Sequence, residues 1–145
     1  MTDRAKLDEL YGAVVDMACK LLEQNGEFIP IGAVLDHDGQ VQFVAVDDGD
    51  DRPQSQAVIQ SLTEVFRAQA AQGTIAASAI ALDATVRSPE TGAGTDAIVT
   101  RIRAPGYTRD VATPYTIETK GFLRKTRTVS TGAASASEGD QDVFF

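Results

Sequence analysis

The run PIGAVLDHDGQVQFVAV, residues 30–46, reads as a β-hairpin, and the rest of the chain is interpreted around it. Pro30 blocks helix and opens an extended stretch. Ile31, Ala33 and Leu35 alternate with Gly32, Val34 and Asp36. Asp36-His37-Asp38-Gly39 is a turn signal, because Asp can bond its own backbone and Gly supplies a positive φ. The return strand places Val41, Phe43 and Ala45 on one face and Gln42, Val44 and Val46 on the other.

Before the hairpin, residues 3–25 show Leu7, Leu10, Tyr11, Val14, Met17, Ala18, Leu21 and Leu22 at spacings of three and four, which predicts an amphipathic helix. Thr2 or Asp3 can cap its start, and Asn25-Gly26 is a left-handed stop. After the hairpin, Val58, Ile59, Leu62, Val65, Phe66 and Ala70 predict a second helix over 54–72, with Gly73 as terminator. Residues 75–87 change to period two. Ile80, Leu82, Ala84 and Val86 form one side; Ala77, Ala79 and Ala81 form a small-residue side that a helix or a partner can approach closely. Strands follow over 97–104 and 107–113, joined by Pro105-Gly106. Pro114 is expected to interrupt the ladder. Residues 115–119 and 122–129 read as one late strand or two short ones, with a turn or bulge at Lys120-Gly121.

The order α-β-β-α-β-β-β defines an α+β fold, two helices packed on a mostly antiparallel sheet. Both helices are expected on one side of it. A single domain is expected over 1–129. Residues 130–145 are rich in Ser, Ala and Gly and are expected to form a flexible tail, from which Phe144 and Phe145 could dock back onto the body or into a neighbouring molecule.

The 145 residues include one cysteine, Cys19, so no intrachain disulfide shapes the fold. No apolar run has the length of a signal peptide core or a membrane span, and a cytoplasmic location with no membrane contact is expected. The formal charge is -8 and uneven. Residues 1–51 hold 12 acidic against 3 basic residues, whereas residues 101–129 hold 7 basic against 2 acidic ones. An acidic whole disfavours attraction to nucleic acid. The basic segment from Arg101 to Arg127 lacks the interleaved aromatic residues of an RNA-binding sheet. Whether it forms an anion site is open at the level of sequence.

Phe28-Ile29-Pro30-Ile31-Gly32-Ala33-Val34, followed by Asp38-Gly39, resembles the opening hairpin of a family of small bacterial cytoplasmic proteins of uncharacterised function. Pro89-Glu90-Thr91-Gly92, Thr95-Asp96-Ala97-Ile98 and Gly106-Tyr107 with Pro114-Tyr115 are similar to that family's later strands. The resemblance spans roughly residues 5–118 and implies an intact bacterial cytoplasmic domain. It implies no activity and no catalytic residue.

Chemistry-bearing residues are sparse. The EF-hand pattern fails at Asp36-His37-Asp38-Gly39, because glycine falls at the fourth position of the loop. Asp47, Asp48, Asp50 and Asp51 read as a solvated turn in which Asp50 or Asp51 caps the second helix. One histidine and one cysteine cannot supply a zinc site. His37 reads as a solvent-facing turn residue and Cys19 as a small buried one. Gly92-Ala93-Gly94 falls short of any phosphate-binding loop. No catalytic, cofactor-binding or metal residue is therefore assigned, and no cofactor is expected. The sequence favours a non-enzymatic binding or protein-interaction domain, with a homodimer packing through Ala77, Ala79 and Val99. The alternatives are a small hydrolase-like enzyme gathering Glu90, Asp96 or Asp110, and a structural subunit of a larger assembly.

Overall fold

The structure is a computed structural model that describes residues 3–45, 54–87 and 92–145. Two helices, α1 (Arg4–Asn25) and α2 (Ser55–Ala71), accompany seven strands: β1 (Ile31–Leu35), β2 (Val41–Val44), β3 (Ala77–Arg87), β4 (Gly94–Ala104), β5 (Tyr107–Lys120), β6 (Thr126–Thr131) and β7 (Ser135–Ser137). The sheet runs β2-β1-β3-β4-β5-β6, β7 also pairs with β5, and every pairing is antiparallel. The α+β class and the element order follow the sequence reading.

Local signals account for the element ends. The Asp3 carboxylate accepts from the Ala5 N–H, and Gly26 closes α1 at φ 79° with its N–H donating to the Leu22 carbonyl. Asp36 Oδ1 accepts from the Asp38 and Gln40 N–H groups, each at 2.9 Å, which builds the β1–β2 turn around Gly39 at φ 83°. Gln54 stands at the N-cap of α2 without a side-chain capping bond. The cap expected from Asp50 or Asp51 lies outside the described residues.

The expectation that both helices share one side of the sheet is corrected by the packing. Leu7, Leu10, Val14, Ala18 and Leu22 of α1 pack with Ala33, Leu35, Ala77, Ala79, Ala81, Ile98 and Ile102. Val58, Ile59, Leu62 and Phe66 of α2 pack with Val34 and Ile80. Ala33 pairs with Ala79 and Val34 with Ser78, so neighbouring positions along β1 and β3 point to opposite faces. The helices therefore lie on opposite faces. The physical reason is that β1 and the first half of β3 are apolar at nearly every position, the pattern of strands covered on both sides. The alanine face of β3 admits α1 closely. Gly32 does the same for α2, where an added Cβ would come within 2.6 Å of Leu62 Cδ2 and 2.8 Å of Phe66 Cζ.

Pro114 does not break β5. It stays paired with Ala97 on the β4 side, while on the other side the partner changes from β7 to β6. Between those pairings Thr113 and Pro114 face Gly132, Ala133 and Ala134, and Gly132 donates its N–H to the Pro114 carbonyl at 2.8 Å. This is a bulge placed where proline has no N–H to give.

Residues 130–145 differ from the expected tail. They complete β6, form β7 and then pack against the body. Arg103, only 3% exposed, is the anchor. Its Nη1 donates to Asp110 Oδ1 at 2.8 Å and its Nε to Asp142 Oδ1 at 3.0 Å. Thr108 Oγ1 donates to the Gly139 carbonyl, Gln141 Nε2 to the Ala104 carbonyl, and Arg67 Nε to the Asp142 carbonyl. Val143 is buried in the α2 cluster and Phe144 packs against it as the sequence reading allowed, whereas Phe145, also expected to be able to dock, is exposed. Composition misleads here because small polar residues are acceptable in a strand whose ladder, rather than its side chains, holds it.

Candidate interaction site

Two of the carboxylates named from the sequence, Asp96 and Asp110, are not brought together. Asp96 pairs with Thr85 and Asp110 with Arg101, which sets their side chains on opposite faces of β4 and β5. Asp110 is engaged by Arg103. Glu90, Asp47, Asp48, Asp50 and Asp51 lie outside the described residues. Among the described residues, no group of three His, Cys, Asp or Glu side chains could hold a metal ion.

Cys19 is half-buried at the edge of the α1 core, and burial, reinforced by the charges of Asp16 and Glu23, pushes its thiol up. It is therefore a poor nucleophile at neutral pH. His37 is exposed, with Nε2 at 2.8 Å from the Gly73 carbonyl. It ties the hairpin turn to the end of α2. Asp36, beside it, is held below the usual carboxylate range, first by the Gln40 N–H and further by Asp38 and Gln42.

One polar pair was not anticipated. Tyr115 donates its hydroxyl to Asp83 Oδ1 at 2.6 Å. Burial pushes the Asp83 carboxyl up, and the charges of Asp96 and Glu27 push the same way; hydrogen bonds from Tyr115 and from the Phe28 N–H oppose them. Burial and the bond to Asp83 also push the Tyr115 phenol up. A folded-state pKa above the unfolded one gives a stabilising contribution that is present at low pH and lost as pH rises through the folded value. At neutral pH the ionised Asp83 therefore opposes folding. Asp83→Asn keeps an oxygen for Tyr115 but gives up an acceptor and removes the charge, so its melting temperature relative to wild type is expected to be higher at about pH 7 than at about pH 3. A difference between variant and wild type that is the same at both pH values would contradict this account.

The basic segment is dispersed. Arg103 is spent on Asp110 and Asp142. Arg109 lies over the Tyr107 ring at 5.0 Å. Arg127 Nη1 donates to the Gln24 carbonyl at 3.1 Å, placing a cation at the negative end of α1. Lys120, Arg124 and Lys125 lie exposed around the loop between β5 and β6, with Lys120 Nζ at 3.6 Å from Glu118 Oε2. Phe122 and Leu123 form the tip of that loop and are 95% and 94% exposed. Gly121 shapes it at φ 116°, where an added Cβ would run into the Arg124 carbonyl. The sequence did carry a signal: two adjacent large apolar residues break the alternation of the strands on either side.

At the β2 edge lies an apolar pocket of about 300 Å³, lined by Met17 and Leu21 of α1, Ile29, Phe43, and Val58 and Leu62 of α2. Ile29 and Phe43 are 54% and 46% exposed and form part of its rim. The alanine face expected to pair two subunits is unavailable, because Ala77 and Ala79 are fully buried beneath α1 and Val99 points to the other face. No helix among the described residues is long and apolar enough to cross a membrane.

No family model, no curated protein and no solved structure matches the chain.

Proposed function

We propose that the chain is a non-enzymatic protein-interaction domain that presents the β5–β6 hairpin tip to its partner. The observation that carries this reading is the pair Phe122 and Leu123, almost wholly exposed at the end of a hairpin and flanked by Lys120, Arg124 and Lys125. Burying a side chain of either type is worth roughly 1.5–3 kcal/mol, so the pair offers considerable unused binding energy. Large apolar side chains surrounded by cations suit an apolar socket with an acidic rim. Asp96 and Asp110, two of the carboxylates named for the hydrolase-like alternative, lie on opposite faces of the sheet, which favours the interaction reading over it.

A photo-cross-linking residue in place of Phe122 tests the reading in cell extract. One discrete protein adduct is expected, competed away by unlabelled wild type and missing when the probe replaces the exposed Gln60 of α2. No adduct above that control would overturn the proposal.

A further inference from the structure

We infer that the β2 edge is a second binding site, separate from the hairpin tip, and that it takes an extended peptide of another protein as an added strand. Two adjacent apolar side chains of that peptide enter the pocket beside the edge. Three observations carry it.

The first is a free ladder edge. β2 stands at the end of the strand order, and among the described residues only β1 pairs with it. Asp36 donates its N–H to the Gln40 carbonyl at 3.0 Å, which makes positions 36 and 40 a hydrogen-bonded pair. Antiparallel ladders alternate, so β1 and β2 exchange bonds at Val34 with Gln42 and at Gly32 with Val44. Val41 and Phe43 then turn their N–H and C=O groups away from β1. Leu35, opposite Val41, agrees with this parity: its carbonyl accepts from the Ala76 N–H, on the β3 side, at 2.7 Å.

The second is that β2 carries nothing to repel an added strand. Val41-Gln42-Phe43-Val44 holds no charge and no proline, the residues that blunt natural sheet edges. The β6 edge does hold charge: Arg127 lies in the strand, and Arg124 and Lys125 directly precede it.

The third is the pocket, which meets the edge at Phe43 and Val44. Successive side chains of an added strand point to opposite faces of the sheet. The pocket has an apolar wall for each, Met17 and Leu21 from α1 on one face and Val58 and Leu62 from α2 on the other. Its volume of about 300 Å³ is at the lower end for ligand sites and takes one or two side chains. In strand addition the ladder supplies affinity, and pockets of this kind supply selectivity. β2 has four residues, so two copies joined through it alone would bury less than the roughly 1,200 Å² at which stable interfaces begin, whereas a peptide needs only the edge.

The experiment begins with amide hydrogen exchange of the full chain, read by NMR. In the free protein Val41 and Phe43 are expected to exchange fast, and Gln42 and Val44 slowly. Random linear peptides displayed on phage are then selected on the protein, and the most enriched one is synthesised. It is expected to carry two adjacent apolar residues and to slow the Val41 and Phe43 amides when bound. Two versions of it, N-methylated at alternate positions and at the intervening ones, are expected to differ in binding, because only one set of its N–H groups faces β2. Phe43→Pro removes an outward N–H without breaking a bond to β1 and is expected to weaken binding at least about tenfold. Phe43→Leu keeps that N–H and is expected to bind more tightly than Phe43→Pro; Phe122→Ser/Leu123→Ser is expected to bind as wild type does. Circular dichroism confirms that each variant is folded, and the methylated peptides decide the matter should Phe43→Pro unfold.

Slow exchange at Phe43 in the free protein shows the edge already covered and overturns the proposal; slow exchange that quickens on dilution assigns the edge to a second copy instead. A selection that enriches no peptide overturns it too. Equal binding by both methylated versions does the same, because it leaves side-chain insertion without an added strand. The cross-link from position 122 reports on the hairpin tip alone, so the two surfaces stand or fall separately.

Discussion

Arg103→Ala is expected to cost about 3 kcal/mol of folding stability and to free residues 139–145 from the body. The Arg103 side chain is 4% exposed and its guanidinium holds Asp110 and Asp142 at 2.8 and 3.0 Å, with Nη1 also donating to the carbonyls of Ile102 and Arg109. Truncation leaves two carboxylates facing each other without a cation. Both are about a third exposed, 32% each, so water can recover part of the loss. That places the expected cost at the lower end of the roughly 3–5 kcal/mol typical of a broken buried pair. Gly139 packs directly on the network, where an added Cβ would lie within 3 Å of both Asp110 and Arg103. Urea denaturation gives the stability, and limited chymotryptic digestion at Phe144 reports release of the terminus. A double-mutant cycle with Asp142→Asn isolates the bond across the segment, since a coupled pair departs from additivity by more than about 0.5 kcal/mol. A cost below about 1 kcal/mol, the level of a surface ion pair, would show that the clamp is not what holds the segment.

The parts of the fold that could be read from sequence are those whose causes are local. Asp3 before α1, Gly26 after it, and Asp36 and Gly39 in the hairpin turn act on backbone a few residues away, and each does so in the structure. The side of the sheet taken by each helix depends on strand order, which no local signal fixes. Even so, the near-continuous apolar runs at 31–35 and 75–82 pointed to strands covered on both faces. The terminal segment was harder. Asp142 and Val143 have meaning only beside Arg103 and the α2 cluster, far away in sequence. Asp96 and Asp110 show the same limit for chemistry: both are acidic residues on adjacent strands, and only the register of β3, β4 and β5 places them on opposite faces. Phe122 and Leu123 read from the sequence as the start of a strand over 122–129, whereas β6 begins at Thr126 and their exposure depends on the tight loop that Gly121 permits.

Phe66→Ala is expected to cost about 4 kcal/mol, within the 3–5 kcal/mol typical of removing a buried aromatic ring. Phe66 is completely buried and lies in the cluster that joins α2 to Val34, Ile75, Ile80 and Val143. The site can collapse only slightly, because its floor is sheet backbone: Gly32 is paired on one side with Val44 and on the other with Ile80. A cavity that cannot close keeps the full penalty of lost contacts. The same geometry supplies a sharper test. A Cβ at position 32 would lie 2.8 Å from Phe66 Cζ and 2.6 Å from Leu62 Cδ2 in the native protein. Gly32→Ala alone is therefore an overpacking change, expected to cost about 1–2 kcal/mol. With the ring gone, that methyl enters the space the ring vacates, leaving only Leu62 to adjust. The double variant is expected to be more stable than the sum of the two losses predicts, by at least about 1 kcal/mol. Urea denaturation of the four proteins measures it. Losses that add to within about 0.5 kcal/mol would show that Gly32 and Phe66 do not share one packing site and that the close approach of α2 to β1 is not what requires glycine there.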